Sequence, residues 1–443
     1  MRASLLPLLA VLQSIATIAS AFLLPPGLDT VAYERRRLGA TTATAGGSLV
    51  DGDEKPAAKP RSACFSSGPT RKRPGYSLAS LPTQTLGRSH RATACLERLQ
   101  LAIRQTKELL GIPAGYVVAI VPGGDTGAYE MAMWNLLGDA RGVDVLAWDA
   151  FGLGWADDAA RQLKLQDVRL LSAPYGALPD LDAVDARDRD VCFVWNGTTS
   201  GVCLANADWI PAERRGLTLC DATSAAFAMA LPWAKLDVTT FSWQKALGGE
   251  GAHGMLALSP RALQRLEEAA ASDPAVRGRP IPKLLRLTDE KGKPLHSLFE
   301  GSTINTPSML CVEDYLDAMA WVWSKGGQEA LVQRCRASLR AIEAFVEEEA
   351  ASARAQGQEP WVGFLAKDPS TRSPTSVCLE LTLGPKDIKE MAASLEREGV
   401  AYDILSYRDA PPGLRIWAGP TVETREVELL LPWVRWAYRQ LQK

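Results

Sequence analysis

The sequence predicts an α/β protein with a mostly parallel sheet. Short apolar runs of strand length recur along the chain, and helical segments lie between several of them. The runs occupy residues 117–121, 143–148, 168–172, 191–195, 217–220 and 255–258. Three of the predicted strands, including the one that ends near residue 241, are followed directly by polar groups. In parallel sheets ligands bind beyond the carboxyl ends of the strands, so these polar groups are candidates for one site.

The chain is predicted to contain two domains behind a leader. Its 443 residues exceed what a single hydrophobic core usually serves. We assign residues 61–310 to an N-terminal arm and a large domain, with a helix over 94–109 and another over 261–270. A long helix over 309–323 marks the passage to a small α+β domain at 311–443. That domain has helices over 339–351, 388–398 and 423–442 and strands over 377–383 and 413–418.

Residues 1–60 have the composition of a leader. Arg2 precedes an apolar run over 5–21 that ends in Ala19-Ser20-Ala21, a small-x-small pattern typical of signal-peptide cleavage. This run is too short and too weakly apolar to favour a transmembrane helix, so no stable membrane anchor is expected. Residues 22–60 lack a helical or strand period and are predicted to be disordered. With Phe22, the leader resembles the bipartite plastid leaders of algae with secondary plastids; secretion and mitochondrial import remain alternatives.

Composition excludes several classes of function. A net charge of −2 gives no electrostatic basis for binding nucleic acid. The eight cysteines include no Cys-x-x-Cys pair, so we expect reduced and mostly buried thiols. The three histidines, His90, His253 and His296, lie far apart, which argues against a multi-histidine metal site.

A glycine loop follows the first predicted strand. The sequence Pro122-Gly123-Gly124-Asp125-Thr126-Gly127-Ala128 leads into a helix predicted over 129–137. A strand, a glycine turn and a helix start leave backbone N–H groups at the positive end of the helix, where a phosphate can bind. The loop matches neither the Walker pattern nor Gly-x-Gly-x-x-Gly, and an ordinary strand-to-helix turn is the alternative.

The remaining polar groups follow later strands. They are Asn196-Gly197-Thr198-Thr199-Ser200-Gly201, Asp221-Ala222-Thr223-Ser224 and the stretch Gln244-Lys245-Ala246-Leu247-Gly248-Gly249. Taken alone, Asp221 is more often a helix N-cap, and a lysine beside glycines is more often a surface lysine. Taken together, they predict one pocket with a partly desolvated amine of lowered pKa.

Pyridoxal 5′-phosphate is the cofactor that needs all these parts. It requires a lysine for its aldehyde, an anion cradle for its phosphate and a carboxylate facing its ring nitrogen, and it benefits from an apolar ring on its face. Lys245, the Gly124–Ala128 loop and Asp221 supply the first three, and Phe151-Gly152-Leu153-Gly154-Trp155 supplies an aromatic residue.

Four runs carry a resemblance to a known family. Trp195-Asn196-Gly197-Thr198-Thr199-Ser200-Gly201, Cys220-Asp221-Ala222-Thr223-Ser224-Ala225, Ser242-Trp243-Gln244-Lys245 and Asn305-Thr306-Pro307-Ser308-Met309 resemble the phosphoserine aminotransferases, class V enzymes of fold type I. The resemblance implies a seven-stranded, mostly parallel sheet. It also implies that Lys245 is the Schiff-base lysine and proton shuttle, Asp221 faces the ring nitrogen, Trp155 stacks on the ring and Thr198 bonds its phenolic oxygen. The phosphate would be held by Thr126, Gly127 and Gln244, joined by Asn305 and Thr306 from the partner of a homodimer.

A substrate with a carboxylate and a phosphate calls for arginines. Arg415 matches the family's α-carboxylate arginine, and His90, Arg91 and Arg408 match its phosphate-binding residues. Tyr407 stands where the better-known members have histidine, and two prolines lengthen the loop before Arg415. Solvated surface charge is the alternative interpretation of these residues.

The resemblance implies a reversible transfer of the amino group between glutamate and 3-phosphohydroxypyruvate, giving O-phosphoserine and 2-oxoglutarate, with only small molecules as substrates. Another class V enzyme, such as a serine or alanine:glyoxylate aminotransferase, is the alternative. A cysteine desulfurase would usually place histidine over the ring, and Trp155 argues against it. A catalytically silent binding dimer would not explain an intact lysine, aspartate and phosphate loop.

Overall fold

A computed structural model of the protein describes residues 54–138, 140–272 and 279–443. The predicted signal peptide at 1–21 and most of the predicted segment at 22–60 lie outside the described residues. Over the described ranges, no helix is both long enough and apolar enough to cross a membrane.

Seven strands form the central sheet. They are β1 (Val117–Pro122), β2 (Val143–Ala147), β3 (Val168–Ser172), β4 (Asp190–Val194), β7 (Thr218–Asp221), β8 (Val238–Ser242) and β9 (His253–Leu258). Two short strands, β5 (Asn196–Gly197) and β6 (Val202–Cys203), form a separate hairpin after β4. The order across the sheet is β1-β9-β8-β7-β4-β2-β3, and only β9 runs against its neighbours. The predicted seven-stranded, mostly parallel sheet is confirmed.

The direction of the strands gathers their carboxyl ends at one edge. Strands β2, β4, β7 and β8 are buried along their whole length, as expected for parallel strands covered on both faces. In each of these four a polar residue follows at the second position after the strand, and the glycine loop follows β1 at the same edge. This edge therefore carries the candidate site.

Eight α-helices are assigned over the described residues: Thr93–Leu109, Gly124–Leu136, Ala150–Asp157, Pro260–Ser272, Met309–Ser324, Gln328–Ala355, Pro385–Arg397 and Thr424–Gln440. Two of them are much longer than predicted. The second starts five residues before 129, because the backbone enters helical geometry directly after Gly123, which has a φ of 83°. The sixth covers 28 residues and includes the whole range predicted over 339–351.

A three-stranded antiparallel sheet lies in the C-terminal part of the chain. It contains β10 (Val362–Phe364), β11 (Ser376–Leu381) and β12 (Gly413–Trp417), in that order. A second hydrophobic cluster forms around it and includes Trp417 and Trp433, whereas the first cluster surrounds the central sheet. The helix Gln328–Ala355 contributes residues to both clusters. The division into domains at residue 310 stays a prediction.

The N-terminal arm, residues 54–92, precedes the first helix and contacts distant parts of the chain. Phe65 is fully buried in the second cluster, and Lys72 and Arg73 form ion pairs with Asp314 and Asp317 of the helix Met309–Ser324. Residues 54–60, which the sequence assigns to the leader, also make contacts: the indole of Trp433 donates a hydrogen bond of 2.8 Å to the carbonyl of Ala58. The arm is thus anchored at both ends.

All eight cysteines lie in the described part of the chain, and none of them forms a disulfide there. Six of the eight are buried, which agrees with the expectation of reduced thiols in the interior. Burial raises the pKa of several of them, including Cys192 and Cys378, each to about 12, so these thiols stay protonated at neutral pH.

Candidate active site

A cavity of about 400 Å³ opens at the carboxyl edge of the central sheet. Its walls come from the glycine loop, the ends of β4, β7 and β8, the helix Ala150–Asp157 and the N-terminal arm. Six of the predicted cofactor-binding residues line it: Thr126, Trp155, Thr198, Asp221, Gln244 and Lys245. Residues separated by more than a hundred positions in the sequence therefore meet in one pocket.

Lys245 follows β8 and lies at the base of this cavity. Its Nζ atom donates a hydrogen bond to the backbone carbonyl of Ser67 in the arm. Burial, with a smaller contribution from the charge of Arg415, lowers the pKa of Lys245 to about 8, against the opposing effect of nearby acids, of which Asp221 is the largest. A fraction of this amine is therefore neutral at physiological pH, as a nucleophilic or proton-transferring lysine requires.

Asp221 is the last residue of β7 and is 8% exposed. One carboxylate oxygen accepts a hydrogen bond of 2.9 Å from the backbone N–H of Thr223, and the other accepts one of 3.3 Å from the indole N–H of Trp155. Turns rather than a helix follow it, so the alternative role as a helix N-cap does not apply. Two donors hold its carboxylate toward the cavity.

Trp155 projects from a short helix that the sequence did not predict. The helix begins after Asp149, whose side chain accepts hydrogen bonds from the backbone N–H groups of Phe151 and Gly152. The ring of Trp155 packs on that of Tyr129, with centroids 4.4 Å apart and an angle of 31°. Burial raises the pKa of the capping carboxyl of Asp149 to about 6.

The glycine loop places the start of the helix Gly124–Leu136 at the cavity. Thr126 is exposed in the first turn, where backbone N–H groups have no partner within the helix. Gly127 packs so closely on β1 that a Cβ atom there would lie 2.1 Å from the carbonyl oxygen of Pro122. Gly127 supports the turn without lining the cavity itself.

Thr198 belongs to a buried network of hydroxyl and amide groups. Its hydroxyl donates to the hydroxyl of Ser224 at 2.9 Å. The amide of Asn196 donates to the same hydroxyl at 2.8 Å and to Thr375 at 2.9 Å. The hydroxyl of Ser376 donates to the carbonyl of Thr198 at 2.7 Å. The network connects the end of β4 to the strand β11, which pairs with the strand of Arg415.

Among the predicted substrate-binding residues, only Arg415 carries a charge that lowers the pKa of Lys245. It lies in the middle of β12, and its guanidinium carbon is 5.6 Å from the ring centroid of Tyr407. The ring of Tyr407 in turn contacts Phe151 on the cavity wall, with centroids 5.8 Å apart. Over the ranges that the structure describes, the buried Nε atom of Arg415 has no hydrogen-bond partner, so a donor remains for an anionic substrate.

The other predicted substrate and phosphate residues lie away from the cavity. Arg408 is exposed and its Nε atom lies 3.2 Å from the carboxylate of its neighbour Asp409. His90 is buried, Arg91 is exposed, and neither lines the cavity. Asn305 and Thr306 are exposed and also outside the lining, so within one chain they do not contribute to it. Their assigned roles stay predictions.

Comparison with known proteins identifies the family, although no protein-family model matches the chain. The chain is 54% identical over 384 residues to the phosphoserine aminotransferase of Methanosarcina barkeri, an alignment that covers 87% of this chain and 99% of the relative. The chain belongs to the phosphoserine aminotransferase family. The prediction made from the four sequence runs is thereby confirmed.

Solved structures of this family share the fold. The phosphoserine aminotransferase from Bacillus circulans subsp. alkalophilus superposes with a TM-score of 0.69 at 18% identity, covering 86% of this chain and 99% of the other. The PLP-bound phosphoserine aminotransferase from Trichomonas vaginalis superposes with a TM-score of 0.65 at 15% identity, covering 84% and 99%. At such identities the likeness supports the fold alone.

The residues around the cavity fit pyridoxal 5′-phosphate, the cofactor of this family. Beside the lysine amine and the indole ring, four buried polar atoms in the lining have no hydrogen-bond partner among the described residues: Oδ1 of Asp125, Oδ1 of Asn196, Oγ1 of Thr223 and Oε1 of Gln244. Buried polar groups are normally paired, so unpaired ones around a cavity indicate a polar ligand. A phosphorylated pyridine ring offers both polar edges and an apolar face.

Sequence reasoning missed the contribution of the N-terminal arm. Gly68 and Pro69 line the cavity, and the hydroxyl of Thr70 donates to the carbonyl of Lys245. A Cβ atom at Gly68 would lie 2.3 Å from the Nζ atom of Lys245. The dipeptide Gly68-Pro69 is a turn signal in the sequence, but only the fold reveals what the turn approaches.

A larger and more open groove of about 1470 Å³ lies elsewhere, along residues 279–304. Its lining includes the basic side chains of Arg279, Lys283, Arg286 and Lys291, but neither Lys245 nor Asp221. Lys245 and Asp221 therefore meet at the smaller cavity and not in this groove.

Proposed function

We propose that the protein is a pyridoxal-5′-phosphate-dependent phosphoserine aminotransferase. It exchanges an amino group between glutamate and 3-phosphohydroxypyruvate, giving O-phosphoserine and 2-oxoglutarate in serine biosynthesis. The observation that carries this proposal is the identity of 54% across nearly the whole Methanosarcina barkeri relative, together with a cavity that holds Lys245, Asp221 and Trp155.

The residues of the cavity have complementary tasks. When bound, pyridoxal 5′-phosphate supplies an aldehyde and an electron-accepting ring. The carboxylate of Asp221, held by Thr223 and Trp155, would face the ring nitrogen and favour its protonated form. The indole of Trp155 would cover one face of the ring. The hydroxyl of Thr198, which donates to Ser224 in this structure, would turn to the phenolic oxygen. The first turn after Gly123 would hold the phosphate, with Thr126 and Gln244 beside it.

Lys245 moves the proton. Because its pKa is lowered to about 8, its amine can remove a proton and return it within each half-reaction, starting at the α-carbon when the substrate is an amino acid. Arg415 binds the α-carboxylate, since its guanidinium is fixed by Tyr407 and has an unused donor. Recognition of the substrate phosphate is assigned to His90, Arg91 and Arg408.

We further propose a homodimer in which Asn305 and Thr306 complete the phosphate site of the partner. Their exposure on the surface of one chain supports this arrangement. Sedimentation of the purified protein tests it, and an Asn305→Ala/Thr306→Ala variant should dimerise but bind the cofactor more weakly. A monomer with full activity would contradict it.

We also propose import into an organelle, a plastid in the first place and a mitochondrion as the alternative. The apolar run ending in Ala19-Ser20-Ala21 and the Phe22 that follows support this proposal. Residues 1–60 fused to a fluorescent protein, imaged against markers of both organelles, test it. A cytosolic signal from the fusion would contradict it.

The reaction is tested with protein that begins near residue 54 and is loaded with cofactor. Adding O-phosphoserine should shift the visible absorbance of the bound cofactor to that of its amino form, and serine at the same concentration should barely do so. A Lys245→Ala variant should bind cofactor without completing the exchange. Equal response to serine, or to alanine with glyoxylate, would favour another class V aminotransferase.

A further inference from the structure

A second carboxyl group, that of Asp125, lies in the wall of the cavity beside Asp221. Asp125 is in the first turn of the helix Gly124–Leu136 and is 8% exposed. Its carboxyl group faces Asp221, Thr223 and Thr240. The Oδ1 atom of Asp125 is buried and has no hydrogen-bond partner in the described part of the chain.

Two buried carboxylates in contact cannot both be ionised without a large cost. The two groups differ in what surrounds them, because Asp221 accepts hydrogen bonds from the backbone of Thr223 and from Trp155. The described residues offer no such donor to the Oδ1 atom of Asp125. Burial and the charge of Asp221 raise the pKa of Asp125 well above its ordinary range.

The position of Asp125 in the glycine loop leads to the same conclusion. Asp125 directly precedes Thr126 and Gly127, at the helix start that receives a phosphate. An ionised carboxylate there would repel the phosphate, whereas a neutral carboxyl group leaves the positive end of the helix unopposed.

We propose that Asp125 is a positioning residue that carries a proton at neutral pH and donates it in a hydrogen bond to the carboxylate of Asp221. This bond fixes Asp221 against the ring nitrogen, so the inference rests on the proposed use of pyridoxal 5′-phosphate. It also leaves one negative charge, rather than two, on the pair formed by Asp125 and Asp221.

The other titratable groups around Asp125 come from neighbouring strands. Cys220 and Asp221 lie at the end of β7, and Lys245 follows β8. On β9, His253 packs on Trp243 and accepts a hydrogen bond from the backbone of Ser308. Burial raises the pKa of Cys220, so its thiol is neutral, and Lys245 is the basic group near the pair.

The first test compares the affinity of the apoprotein for the cofactor in two variants. Asp125→Asn keeps the size and an N–H donor but cannot ionise, so its dissociation constant should stay within about threefold of the wild type. Asp125→Ala loses the donor to a charged acceptor, and its dissociation constant should rise by about tenfold or more. Asp387→Asn, at an exposed first-turn aspartate of the helix Pro385–Arg397, is the matched control.

The second test needs no cofactor. A carboxyl group whose folded pKa is raised stabilises the fold below its unfolded pKa, and that contribution is lost as the pH rises through its folded pKa. Asp125→Asn removes this dependence, so the apoprotein of the variant should gain thermal stability relative to the wild type as the pH rises from about 4 to 8. The Asp387→Asn control should show no such trend.

Two results would overturn the proposal: an Asp125→Asn variant that binds the cofactor as poorly as Asp125→Ala, or a stability difference that does not change with pH. The first result would mean that an ionised carboxylate is needed. A wild-type protein that binds no cofactor would instead refute the proposed function, and the pH test on the apoprotein would still decide the state of Asp125.

Discussion

Replacing Lys245 by methionine should stabilise the protein when its cofactor has been removed. Methionine keeps the apolar stem of the side chain but removes an amine that is costly to bury in its charged form. The native structure lowers the pKa of this amine from the ordinary 10.5 to about 8. Each tenfold change in proton affinity corresponds to about 1.4 kcal/mol, so the penalty for the charged form amounts to about 3 kcal/mol.

The sign of this effect depends on pH. A lysine whose folded pKa lies below its unfolded pKa binds fewer protons in the native state, so the native state gains stability as the pH rises between the two values. The penalty is therefore complete below pH 8 and disappears above 10.5, the ordinary pKa of lysine. The advantage of Lys245→Met should be largest at pH 7 and nearly absent at about pH 10.5.

Urea unfolding of the two apoproteins at both pH values measures the difference. Lys386→Met, which replaces an exposed lysine of the helix Pro385–Arg397, serves as the control and should change the free energy of unfolding little at either pH. The reasoning fails if Lys245→Met is less stable than the wild type at pH 7, or if its advantage is the same at both pH values.

Two further substitutions test the geometry of the site. Gly68→Ala would place a Cβ atom 2.3 Å from the Nζ atom of Lys245, at a residue whose φ of 156° L side chains rarely adopt. The free energy of unfolding should therefore fall by about 1 to 3 kcal/mol. Cofactor loading, followed by absorbance, should fall as well, and normal loading would contradict the contact. Arg415→Lys keeps the positive charge but loses the planar guanidinium, which can bind a carboxylate through two hydrogen bonds. Steady-state kinetics should therefore show a KM for glutamate raised by about tenfold or more. An unchanged KM would mean that Arg415 does not bind the substrate carboxylate.

The sequence predicted the parts of the site that follow from local patterns. Asp221 lies at the end of a buried strand, and Thr198 and Lys245 follow within a few residues of two others. The rule that parallel strands end at one edge suffices to bring them together. Strand bounds were close for the same reason, since apolar runs of strand length are bounded by turn residues.

Other parts depend on contacts that no local pattern contains. The helix that carries Trp155 includes Gly152 and Gly154, which disfavour helices in isolation. Packing explains Gly152, because a Cβ atom there would lie 3.0 Å from the Cα atom of Ala147 in β2. The contact between Ser67 and Lys245 spans 178 positions in the sequence. The sequence indicates Asp125 only as part of a phosphate-binding loop, because Asp125 and Asp221 lie far apart in the sequence and come together only in the folded protein.

The arm that contacts Lys245 also determines when the site can form during synthesis of the protein. Its backbone is held by the last part of the chain: the N–H group of Trp417 donates to the carbonyl of Phe65 at 2.9 Å. Ser67, two residues further on, provides the acceptor for the lysine amine. The arm leaves the ribosome early, but its hydrogen bond to Trp417 can form only after nearly the whole chain has been made. We expect capture of the cofactor to follow release of the completed chain, and any leader protease to cut ahead of residue 54.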